Sequence, residues 1–441
     1  METFEDWIAR EYRYAAGAML RSVSAVDLVK ARPGFGHEIR PVKGSIIASP
    51  VLASWDPDPD YFFHWFRDSA VVMEALLLLY EDGTVPAETA LTHFADFVRF
   101  SQALRRLDGR ELVTRPEWRA RVTRDFEKYV RDDTECNTVF GEGIAADTRV
   151  NPDGTIDISK WCRPQHDGPP LRALATLRWL SRAKVDAATE AEAADLITAD
   201  LAFTRERWRA PSFDIWEEDS GQHYYTLCVS AAALLNGAEW FEERQAELQA
   251  KACRMEAEGI RQTLEEFWLP DAGYFRSRVL ANGAPSTKEL DIATLLAAIH
   301  TDLGLVHDAR MHSNLERLAA AFDAAYPINR DRPAGRGPAM GRYIGDAYFS
   351  GGAWYVATLA AAEFCYRVAK RRADAPAWAE KGDAWLATVR AFTPPGGELS
   401  EQFDQRTGEQ TSAKHLAWSY AAFISCVRAR RALGEKEQGD L

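Results

Sequence analysis

Nothing in the 441 residues spells out a redox or metal chemistry. The six cysteines, at 136, 162, 228, 253, 365 and 426, are scattered, and none forms a CxxC pair, so they read as buried free thiols. The nine histidines include no HExxH or HxxxH spacing; a dedicated metal site has no support and no cofactor is expected. Positive charge is also short. Lys and Arg number 53 against 66 Asp and Glu, a formal charge of -13, which offers no broad cationic surface to nucleic acid or anionic lipid. No apolar run approaches the ~20 residues of a membrane span. The best candidate, AVVMEALLLLY, is interrupted by a glutamate. The amino terminus METFEDWIAREYRY lacks the basic start, apolar middle and cleavage site of a secretory signal, so a cytoplasmic protein is expected.

What the chain has is helical periodicity. Residues 3–31, 67–81, 86–108, 168–183, 187–208, 222–241, 243–268, 290–301, 312–325, 350–371, 374–392 and 412–432 carry apolar side chains three and four apart. Strand signals are few, and GYFRSRVLANGAPST reads as one short hairpin turning at Asn282-Gly283. No Ser/Gly/Pro linker divides the text, so one all-α domain over 1–441 is expected. Short joins alternate with long, aromatic-rich loops before 67, 168, 222, 290, 350 and 412. If the helices pair as hairpins in a ring, every second helix is inner and the long loops collect at one end, where function belongs.

Five of these loops mix polar and aromatic residues: DYFFHWFRDS, SKWCRPQHDG, FDIWEEDSG, GRYIGDAYFSGGAW and LSEQFDQRTGEQTSAKHLAWSY. Each ends in a helix-start signal, with Asp68, Asp167, Ser220, Ser350 or Ser412 placed to cap. Plain capping accounts for the acids one at a time, and core packing accounts for Trp65 and Trp161. Five repetitions of the same mixture point elsewhere. Rings stack on the C–H faces of a neutral sugar while Arg, Asp and Glu bind its hydroxyls, so carbohydrate is the expected ligand.

In these stretches, together with KELDIATLLAAIHT, the chain resembles the glucoamylase family of glycoside hydrolases, its motifs in the family's order from about residue 40 to 430. The resemblance implies an (α/α)6 barrel of six helical hairpins, in a short form without a starch-binding module or amino-terminal β-sandwich. It also implies removal of β-D-glucose from the non-reducing end of an α-gluco-oligosaccharide, with inversion. By match to the motifs, Glu217 is the general acid and Glu401 the base. Inversion requires two such carboxyls about 6.5 to 9.5 Å apart. Ile215 and Trp216 are expected to wall the acid and desolvate it, Asp214 to tune it, and Glu218 to bind the leaving sugar. Arg67 and Asp68 resemble the clamp on the terminal glucose, Arg342 another substrate-binding arginine, and Trp65, Trp161, Arg163 and Trp418 residues around the sugar.

The sequence departs from the fungal pattern at His64, at His166 and in SGGAW, all expected to border the leaving-group side. Short malto- or isomalto-oligosaccharides are the expected substrates. Two other readings stand beside this one: a non-catalytic glucan-binding regulator, which would need no acid and base, and a phosphorolytic enzyme on a similar barrel, which would need an anion cradle that the sequence lacks.

Overall fold

A computed structural model describes residues 2–54, 57–370 and 374–434. Twelve long helices dominate it: α1 (Phe4–Leu20), α2 (Phe66–Glu81), α3 (Ala87–Leu104), α4 (Gly168–Arg182), α5 (Ala187–Arg207), α6 (Tyr224–Glu243), α7 (Glu247–Glu265), α8 (Ala293–His300), α9 (Ala309–Ala325), α10 (Tyr355–Ala369), α11 (Ala375–Phe392) and α12 (Ala417–Arg431). Each matches one of the periodic segments, usually shortened at its ends. Residue 371 of the expected 350–371 helix, and both ends of the expected 1–441 domain, lie outside the described residues.

Two kinds of helix follow from two kinds of sequence. α7 buries only Ala250, Cys253, Ala257, Ile260 and Leu264, one stripe at helical spacing, and so lies outside. α6 is buried almost all round, from Tyr224 through Phe241, because it has neighbours on every side. Helices α2, α4, α6, α8, α10 and α12 pack each on the next, and α12 returns to α2 to close a ring. The outer helices α3, α5, α7, α9 and α11 each lie on the inner helix that precedes them, and α1 lies on α12. Close approach needs small residues: a Cβ on Gly237 of α6 would sit 2.4 Å from Leu201 of α5. This is the (α/α)6 barrel. Among the described residues no helix is long and apolar enough to cross a membrane.

All six long loops enter the inner helices at their amino termini, so the loops gather at one end as expected. Several run into the helix through short β-pairs: 64–65 with 149–150, 212–213 and 278–280 with 220–223, and 353–354 and 410–411 with 402–403. The capping expectation fails for this reason. The N-caps of the inner helices are Trp65, Asp167, His223, Ile292, Trp354 and Leu416, and none makes a side-chain cap hydrogen bond. Asp68 sits inside the first turn of α2, Ser220 is in a strand, and Ser350 and Ser412 precede their helices by several residues.

Three further corrections concern elements. The first helix stops at Leu20, and Lys30–Arg32 pairs with His37–Ile39 where the helix was expected to continue. The expected hairpin is divided: Tyr274–Phe275 pairs with Trp268–Leu269, and Arg278–Leu280 pairs with Ser220–His223. Asn282-Gly283 does turn, with the Gly283 N–H donating to Leu280 O at 2.9 Å, but Pro285 follows, without an N–H for a returning strand. Finally, 110–145 holds three short helices that no periodicity announced.

Candidate active site

The turn Phe213–Ser220 is built on Asp214. Its carboxylate is buried and accepts the backbone N–H groups of Glu218 (2.7 Å) and Asp219 (2.9 Å), while Arg278 stands 3.3 Å away. Burial works against this charge, but Arg278 and the two N–H groups outweigh it and hold Asp214 below the ordinary carboxylate range. Arg278 arrives on the strand that pairs with 220–223 and also meets Asp219 at 2.7 Å and Asp291 at 2.5 Å. Asp291 in turn accepts the Trp216 indole N–H with both oxygens at 3.0 Å. Asp214 is therefore a foundation of the turn and is 1% exposed, not a group on the sugar's surface. Asp214→Ala would leave the Glu218 and Asp219 N–H groups without their acceptor and take one of three acidic partners from Arg278. We expect a loss of roughly 3 kcal/mol in urea unfolding, with a fall in kcat of about tenfold or more as the turn loses its hold on Glu217.

At the crest of the turn Glu217 has φ of 63°, in the left-handed region that a non-glycine residue enters at a cost. That geometry sends the two adjacent glutamates to different partners. Glu217 Oε1 accepts the Trp65 indole N–H at 2.9 Å and an Arg67 N–H at 3.0 Å, and Oε2 accepts the Trp161 indole N–H. Glu218 turns to Arg342 (3.0 Å), Lys288 (2.9 Å) and the Tyr343 hydroxyl (2.5 Å).

Glu401 immediately precedes the strand 402–403, which pairs with 410–411 ahead of α12, and is 4% exposed. Burial pushes its carboxyl up to about 7, against the opposing pull of the Ser412 hydroxyl, Arg342 and Tyr61. Ser412, at φ 63°, donates to Glu401 Oε2. The hydroxyls of Tyr61 and Tyr348 lie 2.9 Å apart, and both feel the charges of Glu401 and Glu217, which places the two carboxylates around one tyrosine pair at the loop end of the barrel.

Beneath Glu217, Arg67 Nη2 is 3.1 Å from Asp68 and its guanidinium lies 5.2 Å from the Trp418 ring. Arg67 Nε and Nη1 are buried without a hydrogen bond in the protein, and Asp68 Oδ2 is buried with no more than its ion-pair contact to Arg67 Nη2. Two donors without a hydrogen bond thus lie beside a carboxylate oxygen held by a single arginine nitrogen, a combination that a hydroxyl, being both donor and acceptor, satisfies. Asp167, 3.7 Å from Arg67, adds an acid that burial pushes up to about 7. Among the described residues no cluster of His, Cys, Asp and Glu could hold a metal.

The structure thus gathers Trp65, Arg67, Asp68, Trp161, Glu217 and Trp418, with Glu401 nearby and Glu218 with Arg342 on the flank. Ile215 and Trp216 are buried at 2% and 8%, and Trp216 faces Asp291 and the rings of Trp354 and Trp418. Arg163 departs from expectation: its guanidinium is taken up by Asp147, Asp157 (2.9 Å) and Ser159 O (3.1 Å), a structural network. His64 and His166, expected near the leaving-group side, are both buried among core rings. His64 is fully buried, accepts from Ile46 N at 3.0 Å and packs on Phe100, and His166 packs on Phe203.

Sequence reasoning missed several contributors. Tyr61, Tyr343 and Tyr348 lay inside the polar-aromatic loops without being singled out, and Ser412 was read only as a cap. Arg278 and Lys288 had no signal, because the strand that delivers Arg278 was assigned to a hairpin. Arg149 is a third. Its buried guanidinium lies 3.6 Å from the Trp161 ring and 4.7 Å from that of Trp65, supporting both indoles that hold Glu217.

A model of the glycosyl hydrolases family 15 matches residues 33–103, 146–380 and 374–428, leaving the short-helix segment 104–145 unmatched. Glucoamylase 1 of Rhizopus oryzae is 27% identical over 97% of this chain and 71% of its own. The probable glucoamylase of Schizosaccharomyces pombe is 27% identical, covering 98% of this chain and 93% of its own. The solved structure of the glucoamylase from Saccharomycopsis fibuligera superposes with a TM-score of 0.78 at 21% identity, over 98% of this chain and 96% of that one.

Proposed function

The chain belongs to glycosyl hydrolases family 15 and is a glycoside hydrolase, and from that premise we propose that it is an inverting, exo-acting α-glucosidase releasing β-D-glucose from short malto- or isomalto-oligosaccharides. In this reading Arg67 and Asp68 bind the hydroxyls of the terminal glucose, whose ring packs against the tryptophans around them. Glu217 protonates the glycosidic oxygen. Glu401 removes a proton from the water that attacks the opposite face of the sugar, and Glu218 with Arg342 binds the departing sugar. The observation that supports it most is the pairing of under-satisfied Arg67 and Asp68 atoms with two separately housed carboxylates at one end of the barrel.

Hydrolysis followed by proton NMR tests it. β-Glucose is expected first, appearing at a rate that does not depend on added phosphate. Initial α-glucose would overturn inversion, glucose 1-phosphate would favour phosphorolysis, and no product from maltose, isomaltose, panose or trehalose would leave the regulatory reading. One observation supports a second assignment within hydrolysis. Glu401 keeps its proton up to about pH 7, which suits an acid, so exchanged roles for Glu217 and Glu401 are tested below.

A further inference from the structure

Inside the ring, at the end away from the carboxylates, a cavity of about 480 Å³ is walled by α2, α4, α8, α10 and α12 and shares no residue with the sugar site. Its lining changes character along the axis. On α4, Leu171 and Leu174 come before Arg178 and Arg182; on α10, Val356 and Ala360 come before Arg367, with Lys370 at its end; on α12, Ala421 and Ala422 come before Arg428. At 1.5 Å per residue the walls run for roughly 16 Å along α4. The inner part is apolar and the mouth cationic.

At the mouth, five cations line the wall with three carboxylates, Glu74, Asp302 and Glu363. Each of these acids has a cationic neighbour: Arg178 lies 3.0 Å from Glu74 and 2.9 Å from Asp302, and Arg367 lies 2.7 Å from Glu363, although Glu74 Oε1 is buried without a hydrogen bond. Arg182 comes no closer than 3.6 Å to Glu81, and Arg428 is 4.0 Å from Glu81 and 3.9 Å from Asp82. Because both approach Glu81, the two guanidinium groups are neighbours. Arg428 Nε is buried without an acceptor.

Cations at helix carboxyl ends offset the macrodipole, and that accounts for charge there. It explains neither an apolar chamber behind the charge nor a buried donor left unpaired. Water would serve the donor and leave the apolar wall without a partner. One molecule answers both: an apolar body with an anionic group at one end, whose two oxygens match guanidinium donors.

We propose that this chamber binds a small organic anion of the medium-chain carboxylate class, its carboxylate at Arg182 and Arg428 and its alkyl body along Leu171, Leu174, Val356 and Ala360. The proposal does not depend on the reaction assigned to the other end of the barrel.

Titration calorimetry of the full chain with octanoate, acetate and 1-octanol, in saturating glucose to occupy the sugar site, tests it. Octanoate is expected to bind one to one and to raise Tm, with acetate (head without body) and octanol (body without head) each at least tenfold weaker. Arg428→Gln should weaken octanoate at least tenfold while glucose release from maltose is unchanged, and Ala360→Leu should do the same by shortening the chamber. No heat with octanoate, equal binding of acetate or octanol, or undiminished binding to a folded Arg428→Gln protein would each overturn the proposal. Should Arg428→Gln not fold, the comparison of the three probes on the unaltered protein still decides.

Discussion

Glu217→Gln is expected to lower kcat on maltose by about 10³- to 10⁴-fold while turnover of α-D-glucosyl fluoride stays within about tenfold of the unaltered protein. The reason is chemical. A sugar alkoxide is a poor leaving group and needs a proton as the bond breaks, whereas fluoride departs with little help, so removing the acid matters for one substrate and not the other. The substitution is mild for the fold, since Gln keeps an oxygen to accept from Trp65, Arg67 or Trp161. If Glu217→Gln instead loses both substrates while Glu401→Gln spares the fluoride, the roles are exchanged.

Glu401→Gln is expected to abolish both activities, because water must still be deprotonated whatever the leaving group. It should also make the protein more stable, but only in part of the pH range. Burial raises the folded-state Glu401 carboxyl from 4.5 to about 7. A raised carboxyl favours the fold while protonated, and that advantage is complete below about 4.5 and lost as pH climbs through about 7. Above 7 the buried charge costs roughly 3 kcal/mol, which Gln does not incur. Urea unfolding should therefore show Glu401→Gln ahead by about that amount at pH 8 and level with the unaltered protein at pH 4. The same ionisation should govern the rate on α-D-glucosyl fluoride, which needs little help from an acid: with Glu401 as base, kcat/KM rises with pH toward a plateau above about 7. A fluoride rate that does not rise across that interval would argue against Glu401 as the base.

The barrel was legible in twelve periodic segments, in the alternation of short joins with long loops and in motifs that resemble the glucoamylase family; the single stripe of α7 and the all-round burial of α6 and α10 are what the ring adds. The site end was legible by residue type and much less by contact. Glu217, Glu218, Arg67, Trp65 and Trp161 came together because their loops all feed one end of the ring. Arg163 was expected beside the sugar and Asp214 to tune the acid, and each is held by charged neighbours that periodicity cannot see: Asp147 and Asp157 for one, Arg278 for the other. The capping expectation failed because it treated each helix start as a separate event. In the fold, strand pairing between distant loops delivers the chain into α2, α6 and α10 and leaves no room for a side-chain cap. The small-step geometry of Glu217, one left-handed residue that parts two adjacent carboxylates, is likewise invisible until the turn exists.

The packing of α1 on α12 means that the last of the six helix pairs joins the two extremes of the chain, with Trp7 edge-on to Phe423 at 5.6 Å and Glu5 paired to Arg430 at 2.6 Å. Residues 4–20 are made before residues 417–431, so the apolar stripe of α1 has its partner only once the segment of α12 has been made. The circle then closes as a belt does, with its buckle made from both ends, and Glu401 with Ser412 stands immediately before the clasp. The segment that carries Glu401 and Ser412 is thus anchored directly to the helix pair that closes the ring.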